Sequence, residues 1–126
     1  MTPLVLSLSC VLLVACGSED VAQQTPANNP ENQIALGSEL FKKNGCMVCH
    51  GRDGRGDGHA AKSLNPRPRD FRELSAYQQG GTQKEIAVTV KNGIGLRNSA
   101  MPAYPHLSEA DANALGAFVV FLQRQP

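Results

Sequence analysis

Two cysteines and a histidine stand together in the segment Cys46-Met-Val-Cys49-His50. Two thiols three residues apart on one helical turn can form thioether bonds to the two vinyl groups on one edge of a porphyrin. The next residue can then offer its imidazole to the iron. This C-x-x-C-H spacing is that of a c-type haem attachment. It predicts one covalently bound haem c, held by Cys46 and Cys49, with His50 as an axial iron ligand.

Other binding sites for the same region have weaker support. A dinucleotide-binding loop needs a strand before its glycines and a helix after them, whereas a helix and two cysteines precede the glycines of residues 51–58. A calcium loop over the same residues would end on Leu64 instead of Glu. A zinc site needs four ligands, and after His50 the chain offers only His59 and His106, with no second C-x-x-C pair. We therefore favour haem over these alternatives.

A second axial ligand can come from a methionine or a histidine. Of the three methionines, Met1 begins the chain and Met47 lies between the two cysteines, which leaves Met101. The proline that follows it removes an amide and stiffens the loop, which favours a fixed thioether. His59 and His106 are rivals, and a pair of histidines would give an iron of lower potential than His/Met ligation. We predict Met101, with a histidine or an open position as the alternatives.

Three amphipathic helices are predicted to position these residues. The first runs over residues 34–44. The second begins after Thr82, whose spacing to Glu85 is that of a capping box, and the third begins after Ser108, with Asp111 in the same relation. No convincing strand is present. Long irregular loops join the helices, and a compact domain rarely holds so much irregular chain unless it encloses something large.

Two glycines bear on how the helices pack. Gly37 and Gly116 lie inside the predicted first and third helices, where each costs about 1 kcal/mol relative to Ala. A close crossing of those helices would explain both glycines, and so would two glycines that are merely tolerated.

The chain has few aromatic residues: four Phe, two Tyr and no Trp. Small domains with so thin a hydrophobic core commonly depend on a bound cofactor.

The amino-terminal third of the chain differs in composition from the rest. Its opening apolar run is shorter than the roughly 20 residues that cross a bilayer and is typical of an export signal. Leu13-Val-Ala-Cys16 resembles the lipobox of bacterial lipoproteins. This resemblance implies a signal peptide over 1–15 and a lipidated Cys16. The residues that follow are rich in Pro, Asn and Gln with little to bury, which predicts a flexible tether over 16–33 before a folded domain over 34–126. An ordinary signal peptide with a fortuitous cysteine is the alternative.

Positive charge is concentrated in the middle of the chain. Eleven of the twelve Lys and Arg residues lie between positions 42 and 97, although the net charge of the whole chain is only +1. A basic ring at the haem edge would favour an acidic docking patch on a redox partner. The candidate residues are Lys42, Lys43, Arg52, Arg55, Lys62, Arg67 and Arg69. Scattered, solvated charges are the alternative interpretation.

Several segments together resemble the class I monohaem c-type cytochromes: GSELFKKNGCMVCHG, GRGDGHAAKSLNPRPRDF, TQKEIAVTVKNGI and MPAYPHLSEADANALGAFVVFL. The resemblance implies an all-α class I cytochrome c fold, in which three main helices and long loops wrap around one covalent haem. The first and last helices would cross near Gly37 and Phe41. A backbone carbonyl of residues 65–68 would accept the proton of the proximal imidazole. His59 departs from the proline that is common there in relatives.

An iron with both axial positions filled has no site for a substrate, so we predict a one-electron carrier and not an enzyme. It would shuttle electrons between redox proteins, such as reductase and oxidase complexes, in a respiratory or related chain. We expect a monomer without a nucleic-acid partner. The lipid on Cys16 would anchor it to the inner or outer membrane on the periplasmic side. The alternative is a haem-based gas binder or sensor, or a minor peroxidase, in which Met101 is displaced.

Overall fold

The computed structural model describes residues 29–95 and 101–126. The predicted signal peptide, the lipidation at Cys16 and most of the predicted tether lie outside the described residues. Within the described ranges there is no strand, and no helix is long and apolar enough to cross a membrane. The same ranges contain four α-helices, which confirms the all-α prediction: α1 Pro30–Lys43, α2 Cys46–His50, α3 Gln83–Asn92 and α4 Glu109–Gln123.

Helix α1 begins at Pro30, earlier than the predicted start at residue 34. The side chain of Asn29 accepts a hydrogen bond of 2.8 Å from the backbone N–H of Glu31. Pro30 has no N–H of its own to leave unpaired in the first turn. Asn29 and Pro30 lie within residues 16–33, the Pro-, Asn- and Gln-rich segment that is predicted to be a flexible tether. At its other end α1 stops at Asn44, as predicted.

The other helix ends follow the local signals in the sequence. Thr82 and Glu85 form the predicted capping box at the start of α3. The hydroxyl of Ser108 accepts a 3.0 Å hydrogen bond from the backbone N–H of Asp111 at the start of α4. The short helix α2 was not predicted as a separate element. It forms because Gly45 adopts a left-handed conformation with φ of 71° and so redirects the chain after α1.

The core forms where α1 crosses α4. Gly37 lies so close to Ala114 that a Cβ at position 37 would overlap the Ala114 carbonyl oxygen. Phe41 and Phe118 pack edge to face one turn further along, with ring centroids 5.4 Å apart. The predicted close crossing is therefore confirmed for Gly37. It is wrong for Gly116, which lies against the backbone of Gln83 at the start of α3.

Candidate haem-binding site

A cavity of about 860 Å³ opens between α2, α3 and the loops that join the helices. Its volume falls within the range of about 300–1,000 Å³ that is usual for ligand and cofactor pockets. Its walls include Cys46, Cys49 and His50 from α2, and Met101 from the segment that precedes α4. The fold thus brings together the four residues that the sequence predicts to bind haem. Their roles as thioether and axial ligands stay predictions.

His50 ends α2 and packs against two phenylalanine rings. The ring centroid of Phe71 is 4.8 Å away and that of Phe41 is 6.4 Å away. The ring atom Nδ1 is buried and has no hydrogen-bond partner within residues 29–95 and 101–126. Burial, with a smaller contribution from the charge of Arg69, lowers the pKa of His50 to about 4. The imidazole is therefore neutral at pH 7, which is the form that binds a metal.

The predicted hydrogen bond from the proximal imidazole to the 65–68 loop does not form at Nδ1 in the described structure. The Pro68 carbonyl instead approaches Gly56, where a Cβ would overlap it. Gly56 in turn donates its N–H to the carbonyl of His50 over 2.9 Å. The loop therefore supports the backbone of His50 and leaves the ring nitrogen unpaired.

The glycine-rich loop of residues 51–58 packs against the carboxyl end of α2. Gly58 donates its N–H to the Cys49 carbonyl over 3.2 Å, and Ala60 donates to the Val48 carbonyl over 3.0 Å. These bonds satisfy carbonyls that the end of a helix leaves unpaired. Within the described ranges no three His, Cys, Asp or Glu side chains converge as a metal-ion site. The loop thus serves as a support for the cysteine segment.

Cys46 and Cys49 are half-buried and do not form a disulfide. Burial, with a smaller contribution from neighbouring Cys49, raises the pKa of Cys46 to about 11. Cys46 is therefore a protonated thiol at neutral pH, and a thiol exchanges into disulfides far more slowly than a thiolate. Both cysteine side chains line the cavity wall, where carbon–sulfur bonds to a haem would form.

The segment that carries Met101 is fixed to the end of α3. Tyr104 donates its N–H to the Val90 carbonyl over 3.0 Å, and Ile94 donates to the Met101 carbonyl over 3.4 Å. Gly93 has a φ of 69° and lies close to this segment. A Cβ at position 93 would come within 2.8 Å of the backbone nitrogen of Ala103. Met101 is half-buried and packs against the hydrophobic core. These contacts hold its side chain at the cavity.

The rival axial ligands lie elsewhere. His59 and His106 are exposed, and among the described residues His50 is the one histidine of the cavity wall. Met47 lines a separate groove between α1 and α4. Within the described residues, the cavity therefore presents one imidazole and one thioether, which favours His/Met over bis-histidine ligation.

The comparisons with known proteins agree with this geometry. The family model described as Cytochrome c matches residues 34–123. The chain belongs to the cytochrome c family. It is 32% identical over 87 residues to cytochrome c-551 of Azotobacter vinelandii, an alignment that covers 67% of this chain and 94% of the relative. Family and relative support an electron carrier that binds haem c covalently.

A solved structure shows the same fold. It is a chain of a reducing HAO-like protein complex from Kuenenia stuttgartiensis, with a TM-score of 0.63 and 25% sequence identity. The match covers 78% of this cytochrome but only 49% of that chain, so this cytochrome spans about half of its length.

Five of the seven candidate basic residues line one of two surfaces. Arg55, Arg67 and Arg69 line the haem cavity, whereas Lys42 and Arg52 line the groove of about 540 Å³ between α1 and α4. Three of the seven basic residues thus line the cavity, and their arrangement around a haem edge stays a prediction.

Tyr77 forms part of the cavity wall that the sequence did not reveal, and it contacts Arg69, one of the predicted basic residues. Arg69 donates to the Ala76 carbonyl, and its guanidinium carbon lies 4.9 Å from the centre of the Tyr77 ring. The Tyr77 hydroxyl donates to the Phe71 carbonyl and accepts from Gln123, each over 3.0 Å. The bond to Gln123 joins positions 46 residues apart, so no local pattern could have predicted it. The long loops were the only signal that these residues enclose something.

Proposed function

We propose that this cytochrome is a one-electron carrier for redox proteins on the periplasmic side of a membrane. One haem c would be attached through Cys46 and Cys49 and ligated by His50 and Met101. The observation that carries the proposal is that these four side chains line one cavity. The buried imidazole of His50 is neutral at pH 7, which is the form that binds a metal. When bound, haem c supplies an iron that takes up and releases one electron.

The residues around the cavity would keep the two ligand side chains in place. Phe71 and Phe41 contact the His50 ring and limit its rotation. The hydrogen bonds of Ile94 and Tyr104 fix the backbone on either side of Pro102. A site held this firmly has similar geometry in both oxidation states, which favours fast electron transfer. Buried apolar walls keep water out: Ile86, Val90, Leu115 and Val119.

Ligation by a methionine thioether favours the ferrous state and raises the reduction potential relative to a second histidine. Because both axial positions would be filled by the protein, this cytochrome would have no position for a substrate. Its role would then be that of a carrier and not of an enzyme.

The charge around the cavity supports a class of partner. Arg55 and Arg67 are exposed and line the cavity wall. Positive charge at the edge of a redox site favours encounter with an acidic patch, and this steering weakens as ionic strength rises. Acidic docking surfaces on a reductase or an oxidase therefore suit this cytochrome, whose folded part would be held near the membrane by a lipid on Cys16.

A second candidate is a haem subunit with an enzymatic role, such as a gas binder or a peroxidase. It is favoured by the solved structure that shares this fold, which belongs to a reducing HAO-like protein complex. Such a role would require Met101 to leave the iron. Carbon monoxide discriminates the two candidates, because it binds a ferrous haem only where an axial position can open.

The attachment itself is tested by extraction of the full chain with acidified acetone. Haem should stay with the wild-type protein, and its mass should equal that of chain plus haem. Replacement of both Cys46 and Cys49 by Ser should abolish attachment. Val48→Ser is the matched control, because Val48 lies between the cysteines, is exposed and does not line the cavity. Haem that extracts freely from wild type would refute the proposal.

A further inference from the structure

His106 connects the Met101 segment to the end of α1. Its ring atom Nε2 lies 3.2 Å from the side-chain oxygen of Asn44. Asn44 caps α1 and is followed directly by Gly45 and Cys46, both of which line the cavity. The contact therefore joins the segment that carries the methionine to the segment that carries the cysteines, over a sequence separation of 62 residues.

The donor and the acceptor in this contact follow from the surroundings of Asn44. The Asn44 side-chain N–H donates to the Leu40 carbonyl over 2.9 Å, which orients the amide so that its oxygen faces His106. That oxygen can only accept, so the His106 Nε2–H must donate. The neutral ring protonated at Nε2 and the imidazolium both carry this hydrogen. The bond is therefore available whether or not His106 is charged.

The same segment is held from its other side by α3. The hydrogen bond from Tyr104 N–H to the Val90 carbonyl ties it there. Leu107, the neighbour of His106, is buried with 6% of its surface exposed. Residues 101–107 are thus fixed to α3 by backbone and core contacts, and to α1 by the side chain of His106.

We propose that His106 and Asn44 are positioning residues that hold residues 101–107 over the cavity and so keep Met101 on the iron. The proposal rests on the proposed function, in which Met101 is the second axial ligand. His106 acts through the loop and does not touch the metal. Loss of its hydrogen bond lets the loop lift more easily, so an external ligand displaces the thioether at lower concentration.

Titration of the ferric, haem-loaded full chain with imidazole tests this directly, through loss of the Met–iron charge-transfer band. His106→Phe keeps a ring beside Tyr104, whose centroid lies 6.0 Å from that of His106, but removes the donor. It should bind imidazole about two- to tenfold more tightly than wild type, the effect of one hydrogen bond. His106→Gln, whose amide can donate to Asn44, should fall closer to wild type. His59→Ala is the control and should bind imidazole as wild type does.

A double-mutant cycle assigns the effect to the pair. Asn44→Ala should also tighten imidazole binding, and adding His106→Phe to it should have little further effect, because the bond is already lost. His106→Phe with wild-type imidazole affinity, or effects of the two variants that simply add, would overturn the proposal while leaving the proposed function intact. A wild-type ferric spectrum without the Met–iron band would overturn the Met101 assignment and this proposal together.

Discussion

Gly37 of α1 and Ala114 of α4 meet backbone to backbone, with no room for a side chain between them. This contact sets the distance between the two helices. It also sets the depth at which Phe41 enters both the core and the wall of the haem cavity. A glycine that is unfavourable inside an isolated helix is therefore required by the way this cytochrome packs.

Gly37→Ala should destabilise the protein even though Ala is the better helix former. The added methyl group would overlap the Ala114 carbonyl, and forcing such helices apart costs about 1–3 kcal/mol, more than the roughly 1 kcal/mol that Ala gains in helix propensity. Denaturant unfolding of the haem-loaded protein measures the difference. Gly95→Ala is the matched control, since nothing lies within 4 Å of a Cβ there, and it should change stability by less than about 0.5 kcal/mol. Equal stability of the two variants would refute the close contact.

Met101 should control both the potential and the ligand-binding behaviour. Met101→His should keep a six-coordinate haem but lower its reduction potential by part of the ~0.8 V span over which axial ligands set haem potentials. Met101→Ala should let carbon monoxide bind the ferrous protein. Met47→Leu, a change of similar volume outside the cavity, should retain the wild-type spectrum. A wild-type protein that lacks the Met–iron band, and whose spectrum changes in His59→Ala, would instead have a histidine as its second ligand.

Local signals in the sequence predicted helix ends well, and contacts between distant residues poorly. The capping box of Thr82 and Glu85 and the N-cap of Ser108 each span only four consecutive residues, so they are visible from the sequence. The partner of Gly116 is the backbone of Gln83, which depends on how two helices pack. The sequence does not predict the early start of α1, because the Pro-, Asn- and Gln-rich composition of the segment favours a flexible tether. The capping residues Asn29 and Pro30 favour a helix there.

The features of the candidate site also fall into two groups: residues that the sequence predicts, and contacts between residues that are distant in the sequence. The cysteine spacing predicts the attachment residues, and elimination of the other methionines predicts Met101. By contrast, the contact of Arg69 with Tyr77 and the bond of His106 to Asn44 exist only in the folded chain. The predicted hydrogen bond from the His50 ring to the 65–68 loop is not seen among the described residues, where the His50 Nδ1 has no partner.

The capping box of α3 should contribute stability that depends on pH. Hydrogen bonds from the Thr82 backbone N–H and hydroxyl lower the pKa of Glu85 below its ordinary value of 4.5. A carboxylate with a lowered pKa stabilises the folded state fully above its unfolded value and loses this effect as pH falls through the folded value. Glu85→Gln should therefore be less stable than wild type at pH 7, and the difference should shrink below pH 4.5.

Unfolding free energies of both proteins, measured across this pH range, check the prediction. Glu39→Gln removes an exposed carboxylate from α1 instead and serves as the control. A difference between Glu85→Gln and wild type that is constant with pH would contradict the proposed role of the charged carboxylate.

Cys16 should determine where the mature protein is found. Expressed in a bacterium that processes lipoproteins, the wild type should partition with membranes, and Cys16→Ala should be released or left uncleaved. Cys10→Ala changes the other cysteine of the amino-terminal segment and should partition as wild type does. Mass spectrometry of the mature protein identifies its first residue. A mature chain that begins anywhere other than Cys16 would rule out lipidation at this position.

A potentiometric titration of the haem-loaded full chain, followed by its absorption spectrum, tests the central claim most directly. A one-electron carrier should give a single reversible transition in which the ratio of oxidised to reduced protein changes tenfold per ~59 mV. The ferrous spectrum should be the same with and without carbon monoxide, because His50 and Met101 would occupy both axial positions. A transition that is irreversible or fits two electrons, or a ferrous wild type that binds carbon monoxide, would contradict the assignment of this cytochrome as an electron carrier.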